Sequence, residues 1–257
     1  MSNSPFATVT LAFGMLLSSC ENEELSVQTH EYSAREFGTM SLDNSKAFVV
    51  SNELGGVIIE GSSDTSTFRW FLDKSVTAET QSRANELLAQ IVVEYIALTD
   101  TAFISVRSPS STNLASSSMS LALPQSKPCI LRKVRQSISV SYLNSTLVGE
   151  NVHSITVIGH TGNCILAVSQ GDVSVEMALP VWGVCRVAVS DGAISLRVPS
   201  STSASLSAVT ASGKIVFSGI VLSNPITTSQ ALMGQLGAGE GTIQLTTAKG
   251  NISILGF

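Results

Sequence analysis

The chain has 257 residues, enough to bury a sizeable core as one domain or two. It is apolar (44%) yet poor in charged (13%) and aromatic (5%) residues, a balance that favours strands over helices. A net charge of −5 and a pI near 5.2 exclude a broad basic surface and, with it, a nucleic-acid-binding role.

Pro5 to Leu17 form an apolar run too short to span a bilayer, closed by Leu17-Ser18-Ser19-Cys20 and followed by the polar, acidic Glu21 to Glu24. This resembles a bacterial lipoprotein signal, in which small residues precede a cysteine that becomes the lipidated first residue of the mature chain. It departs from that pattern in one respect, since Met1 to Ser4 carry no Lys or Arg. The resemblance implies a signal peptide over 1–19, lipidation of Cys20 and a flexible tether over 20–37, and the strand pattern that follows marks 38–257 as a β-strand-repeat domain.

The domain opens on a pattern that recurs later. With a glycine as origin, the residues seven, five and three before it and two and four after it are small or apolar. Around Gly55 these are Phe48, Val50, Asn52, Val57 and Ile59, with only Asn52 out of place. Phe68, Trp70 and Leu72 alternate as a further strand. The period then turns helical: Thr77 is placed to cap, Glu79 suits a first turn, and Ala84, Leu87, Leu88 and Ile91 share one face, which predicts a helix near 78–91. Its apolar stripe reads as a packing face against a sheet or a lid over one open end. Strand period returns at Val93, Tyr95 and Ala97 and again from Phe103 to Val106. Ser108 to Ser118 read as a loop, and Ser120–Leu123 and Ile138–Val148 as strands. The basic residues Lys127, Arg132, Lys133 and Arg135 read as a solvated strand edge rather than an anion site.

From about His153 the copies become regular. Gly162, Gly171, Gly192, Gly213, Gly241 and Gly250 each serve as origin, at spacings of 9, 21, 21, 28 and 9 residues. Gly192, for example, gives Cys185, Val187, Val189, Ile194 and Leu196. Alternation at period two sends these side chains to one face, while Ser174, Ser195, Gln244 and Ser253 between them face water. A strand and its glycine turn take nine residues and 21 is a complete coil. The fold expected is therefore mainly β: a single-stranded β-solenoid or β-roll-like stack of short strands with glycine turns. Inward positions run to Ile252 and Ile254 with no polar cap after them. The last coil is thus expected to be covered by Phe257 and the helix, or completed end to end by another copy of the chain.

The glycine-turn repeats, the helix between early strands, and Leu196-Arg197-Val198-Pro199 leading into Leu206–Phe217 resemble a bacterial family of β-strand-repeat proteins regarded as candidate adhesins. The likeness covers about Phe48 to Phe257. It implies a surface-exposed scaffold with no assigned biochemical activity and no cofactor.

Candidate chemistry is sparse. Cys164 and Cys185 stand 21 residues apart, each seven before a glycine, and so occupy equivalent places on neighbouring coils, either as a disulfide or as a ladder of two buried thiols; Cys129 is then unpaired. His153, His160 and Cys164 match no structural zinc spacing, so no metal site is assigned. There is no Gly-x-Ser-x-Gly elbow, and only His30, His153 and His160 are available as a base, so no catalytic residue is assigned. Asp172 and Asp191 flank their glycines at one corner of consecutive coils, where turn geometry alone accounts for them. Read together with the resemblance, the sequence points to a non-enzymatic, lipid-anchored cell-envelope protein, outer-membrane in the first instance, that binds glycan or protein. A periplasm-facing partner in envelope sensing or assembly is the alternative, and a polysaccharide-active β-helix enzyme the weaker one.

Overall fold

The structure, a computed structural model, describes residues 28–42, 47–107 and 114–257. Cys20 and the predicted signal lie outside the described residues. The front of the chain comprises β1 (His30–Ser41), β2 (Ala47–Asn52), β3 (Gly55–Ser62), β4 (Thr67–Ala78), α1 (Gln81–Leu88), β5 (Val92–Ala97), β6 (Thr101–Arg107) and β7 (Ala115–Pro124). Then come β8 (Cys129–Val134), β9 (Ile138–Ser141), β10 (Leu147–Val152), β11 (Ile155–His160), β12 (Cys164–Gln170), β13 (Val173–Met177) and β14 (Val184–Asp191). The remainder comprises β15 (Ile194–Val198), β16 (Ala204–Ser212), β17 (Ile215–Ser218), β18 (Leu222–Thr227), β19 (Ala231–Leu236), β20 (Gly241–Lys249) and β21 (Ile252–Gly256).

The protein is mainly β, with two large mixed sheets. The first has the order β1-β4-β7-β3-β9-β11-β13-β15-β21-β17 and the second β18-β19-β16-β20-β14-β12-β10-β8-β2-β6-β5. Eight times a strand of the second sheet is followed along the chain by one of the first: β2/β3, β6/β7, β8/β9, β10/β11, β12/β13, β14/β15, β16/β17 and β20/β21. These pairs stand in the same spatial order in both sheets, parallel to their neighbours, and antiparallel strands flank them. Alternation explains why: the inward residues of both sheets, such as Leu166, Val187, Leu196 and Ile254, join one continuous core, each contributing about 1.5–3 kcal/mol by leaving water.

The corner where second-sheet strands pass to the first is built on glycine. Gly171, Gly192 and Gly250 hold φ of +111°, +152° and +145°. A Cβ on Gly192 would lie 2.1 Å from the Gly171 carbonyl oxygen, one on Gly250 2.0 Å from that of Gly192, and one on Gly213 2.0 Å from that of Gly250. Three residues before these glycines stand side chains that complete the corner: Thr247 Oγ1 donates to Gly192 O and Thr210 Oγ1 to Gly250 O, at 2.9 and 2.8 Å. Asn52, the apparent misfit, does the same work at the front. It is buried, its amide donates to Gly56 O at 2.9 Å, and its carbonyl oxygen accepts from Leu54 N and Ser117 Oγ.

Several expectations change. Gly55 and Gly162 do lie at corners, but Gly162 sits at the opposite corner, between β11 and β12. Gly241 is not a turn between paired strands: it opens β20, and the residues before it form β19, antiparallel to β16. The 21-residue step holds from β12 to β14, whereas β20 and β21, from the end of the chain, insert between β14/β15 and β16/β17. The C-terminal strands are therefore paired on both sides, and the stack's far end is formed by β17 and β18. There Phe217, an inward position, is 41% exposed because no strand follows β17. The helix is shorter than predicted and capped by Thr80, whose side chain accepts from Arg83 N, while Thr77 and Ala78 belong to β4. Its face of Ala84, Leu87 and Leu88 is buried as expected, against β4 and β1 at the front. His30–Ser41 is a strand rather than tether, and Ala115–Ser118 belongs to β7 rather than a loop.

Candidate ligand-binding face

The outer face of the first sheet gathers the polar and aromatic residues that the core rejects. Pairing places Phe37 beside Phe71, Phe71 beside Ser120, and Ser120 beside Ile58. The same row continues through Ser139, Thr156, Ser174, Ser195 and Ser253, one hydroxyl per strand from β9 to β21. Phe37 and Phe71 are 74% and 49% exposed with ring centroids 6.2 Å apart. The two rings, inclined at 34° to each other, make an exposed apolar platform.

Next to the platform lies a cleft of about 540 Å³, walled by Ser33, Arg35, Asp73, Ser75, Ser116 and Gln136. Arg35 and Asp73 oppose each other across β1 and β4, and the guanidinium meets the carboxylate through two bonds, Nε to Oδ1 at 2.5 Å and Nη2 to Oδ2 at 3.0 Å. Ser75 and Ser116 hydroxyls are 2.8 Å apart. A second hollow of about 360 Å³, with Ser137, Ser139 and Thr156, shares Ser118 and Gln136 with the first, so the two form one groove across the sheet. Such a surface can stack the C–H face of a sugar on the rings and hydrogen-bond its hydroxyls from the groove.

The residues singled out in the sequence fall elsewhere. Cys164 and Cys185 oppose each other on β12 and β14, and both, like Cys129, are buried and free. The bond with Cys185 and then burial raise the Cys164 thiol well above its ordinary pKa, and burial pushes Cys129 up to about 12. Accordingly none of the three should react with Ellman's reagent in the native protein near about pH 8, where a free thiol is appreciably ionised. All three should react in guanidinium chloride. Rapid native labelling, or a missing pair after denaturation, would contradict the buried ladder.

His160 ends β11 buried, its Nε2 donating to Asn163 O at 2.9 Å, and burial lowers its pKa. It therefore packs as a neutral ring, while His153 is half-buried near Lys133 and Asn151. Among the described residues no three His, Cys, Asp or Glu side chains come together as metal ligands. Asp172 accepts from Ala193 N at 2.8 Å, a turn role, and Asp191 pairs with Lys249 at 3.7 Å. Of the basic cluster, Arg132 pairs with Glu150 and Lys133 with Glu53. Arg35, Phe37, Phe71 and Asp73 drew no attention in the sequence: the first two are outward residues of a strand whose inward alternation, Tyr32, Ala34, Glu36 and Gly38, is hardly apolar, and the last two are outward residues of β4, whose apolar alternation reports only its inward face.

Among solved structures, a candidate cell adhesion protein of Clostridium sporogenes superposes with a TM-score of 0.51 at 12% identity, over 88% of this chain and all of that one. The chain shares that protein's fold. A candidate adhesin of Bacteroides fragilis aligns over 87% of this chain and 97% of its own, at 11% identity and a TM-score of 0.36. One of Parabacteroides distasonis covers 86% and 97%, at 9% and 0.27. No family profile matches the chain, and no curated protein is similar to it in sequence. Among the described residues no helix is long and apolar enough to cross a membrane.

Proposed function

We propose that the chain is a non-enzymatic, adhesin-like cell-envelope lipoprotein: a β-solenoid of eight two-strand turns, held at the membrane by lipid on Cys20, that binds glycan through the outer face of its first sheet. The observation that carries the glycan reading is the Phe37–Phe71 platform beside a groove of hydroxyls, an amide and an Arg–Asp pair. Fold shared with a candidate cell adhesion protein favours the same reading. Hydrolysis of glycan normally takes two carboxyl groups, and Asp73 is the single carboxylate among the residues lining the cleft.

The test uses intact bacteria expressing the full chain and a panel of fluorescent glycans. Wild-type cells should bind at least one glycan, and Cys20→Ala should abolish cell-bound signal by releasing the protein. Phe71→Ala should leave the protein on the cells, open to added protease, while weakening glycan binding about tenfold or more, the worth of one lost stacking contact. Protection of the protein from protease until the cells are lysed would defeat surface display; undiminished binding by Phe71→Ala would defeat the platform.

One observation favours the alternative of a periplasm-facing protein partner. On the outer face of the second sheet Ile96, Phe103, Val49, Ile130, Val148 and Ile165 form an unbroken apolar row across six strands. A row of this kind suits a protein surface rather than a sugar. Protection from protease in the same cells would turn attention to it.

A further inference from the structure

A different part of the molecule, the edge where first-sheet strands pass to the second, carries exposed aromatic residues after every second strand from β9 to β21. Tyr142 follows β9, Trp182 lies between β13 and β14, and Phe257 follows β21. They are 57%, 74% and 54% exposed. In the first sheet β11 separates β9 from β13 and β15 separates β13 from β21, so the strands that lead to them stand two apart. At roughly 4.8 Å per strand, that interval is about 9.6 Å.

The backbone at each of the three is fixed by hydrogen bonds, and the Tyr142 and Phe257 rings make contacts of their own. Tyr142 N donates to Ile158 O at 2.9 Å, and its ring lies against Gly159, where a Cβ would come within 2.8 Å of it. Gly183 N closes the turn around Trp182 by donating to Pro180 O at 2.8 Å. Phe257 is fixed by bonds of its own N to Val198 O and of Ser200 N to its carbonyl, with the Arg197 guanidinium 5.3 Å from the ring centre. Tyr142 and Trp182 also take φ of +57° and +61°. Bulky side chains seldom adopt that region, and strain kept at exposed side chains points to use rather than to packing.

The corners between the aromatic ones are small and hydroxylated, Thr161-Gly162 after β11 and Pro199-Ser200 after β15. Arg197, the charged group beside the Phe257 ring, is already engaged by Glu176 at 2.5 Å and by that ring. The chain meets β1 at His30, opposite Ala78 and hence at the other edge of the sheet.

We infer that this edge is a second binding site, for a linear, uncharged, β-linked polysaccharide lying along the stack, with one sugar ring on each aromatic side chain. Stacking on an aromatic face is indifferent to which hydroxyls a sugar carries but sensitive to where successive rings fall. A two-strand interval is close to the length of a disaccharide unit in an extended β-linked chain, so alternate sugars meet Tyr142, Trp182 and Phe257. The site shares no residue with the face built on Phe37 and Phe71 and does not depend on it.

The experiment titrates the purified full-length chain with β-1,4-linked N-acetylglucosamine and glucose oligomers of two to six sugars, by calorimetry. Affinity should climb with length, about tenfold or more from dimer to hexamer, as further rings are engaged. Trp182→Ala, with an unchanged melting temperature, should lose that gain, while Tyr142→Ala and Phe257→Ala should each lower hexamer affinity and spare the dimer. Phe71→Ala should leave the length dependence intact. Affinity independent of length, or a hexamer affinity unaltered in Trp182→Ala, would overturn the inference and leave the first face untouched. Trp182-dependent binding to phosphatidylcholine vesicles without oligomer binding would overturn it in favour of a membrane contact.

Discussion

Lys74→Met is expected to destabilise the domain by about 3 kcal/mol, read as a lower urea midpoint at unchanged slope. Lys74 points inward from β4 and is 3% exposed. Its Nζ donates to the carbonyls of Leu88 and Ile91, at 2.7 and 2.9 Å, and to Glu36 Oε1 at 2.5 Å. The carbonyls belong to the end of α1 and the residues just beyond it, where unpaired acceptors and the negative end of the helix dipole converge. Methionine keeps the aliphatic stem and its packing, so what is lost is the ammonium, leaving acceptors in a place water reaches poorly, at about 1–3 kcal/mol each. Glu36 is half exposed, and Glu36→Gln is expected to cost under about 1 kcal/mol. Trp70, four residues before Lys74 on β4, reports the transition by fluorescence once Trp182 is replaced by Phe. A Lys74→Met midpoint within about 0.5 kcal/mol of wild type would show that the helix does not depend on this contact.

That contact also marks where sequence reading succeeds and where it stops. The face of Ala84, Leu87, Leu88 and Ile91 was legible because helical period is local. Lys74 was not, because its partners lie 14 and 17 residues onward and nothing in a charged residue announces an inward direction. The strands obey the same division. Alternation around Gly171, Gly192 and Gly250 reports each strand's inward face directly, and all the apolar positions there are buried. Which strand lies next to which is a matter of long-range pairing. The copies at Cys185 and Leu206 are 21 residues apart and look consecutive, yet Ile243 sits between them in the sheet. Gly234, Leu236 and Ala238 mimic an inward set and are in fact the end of an antiparallel strand and its turn.

The ligand-binding face was less legible than the core for a related reason. Hydrophobic pattern reports what a strand hides, and a binding surface is made of what it shows. Ser174, Ser195 and Ser253 were recognisable as outward residues, but the hydroxyl row exists only because β13, β15 and β21 are neighbours. Arg35 and Phe37 gain their partners through β1 pairing with β4, a strand that half-exposed residues such as Tyr32, Ala34 and Gly38 do not advertise. Asn52 is the instructive exception, since a polar residue in an apolar slot of a repeat was visible in the sequence and marks a corner whose backbone needs a side-chain partner.

The corner itself gives the second large effect: Gly192→Ala is expected to cost about 3 kcal/mol, measured by the same urea titration. Two separate penalties act at this position. The φ of +152° is unfavourable for any residue with a Cβ, and the Cβ would lie 2.1 Å from the Gly171 carbonyl oxygen. Backbone cannot turn aside as a flexible side chain would. A shift at Gly171 presses on Ser154, already 2.3 Å from where a Cβ of Gly171 would stand, and a shift of Gly192 itself disturbs Gly250 and the bond from Thr247. The collision should thus be felt along the corner rather than absorbed at one strand. Gly237→Ala separates the two penalties, because Gly237 has φ +53° but the nearest atoms to its Cβ stand 3.3 Å away, and it should cost only about 1–2 kcal/mol. Ser195→Ala, on the outward row, should fall within about 0.5 kcal/mol of wild type. If Gly192→Ala proves no worse than Gly237→Ala, backbone conformation alone sets the cost and the close stacking of glycine on carbonyl is not what holds this corner.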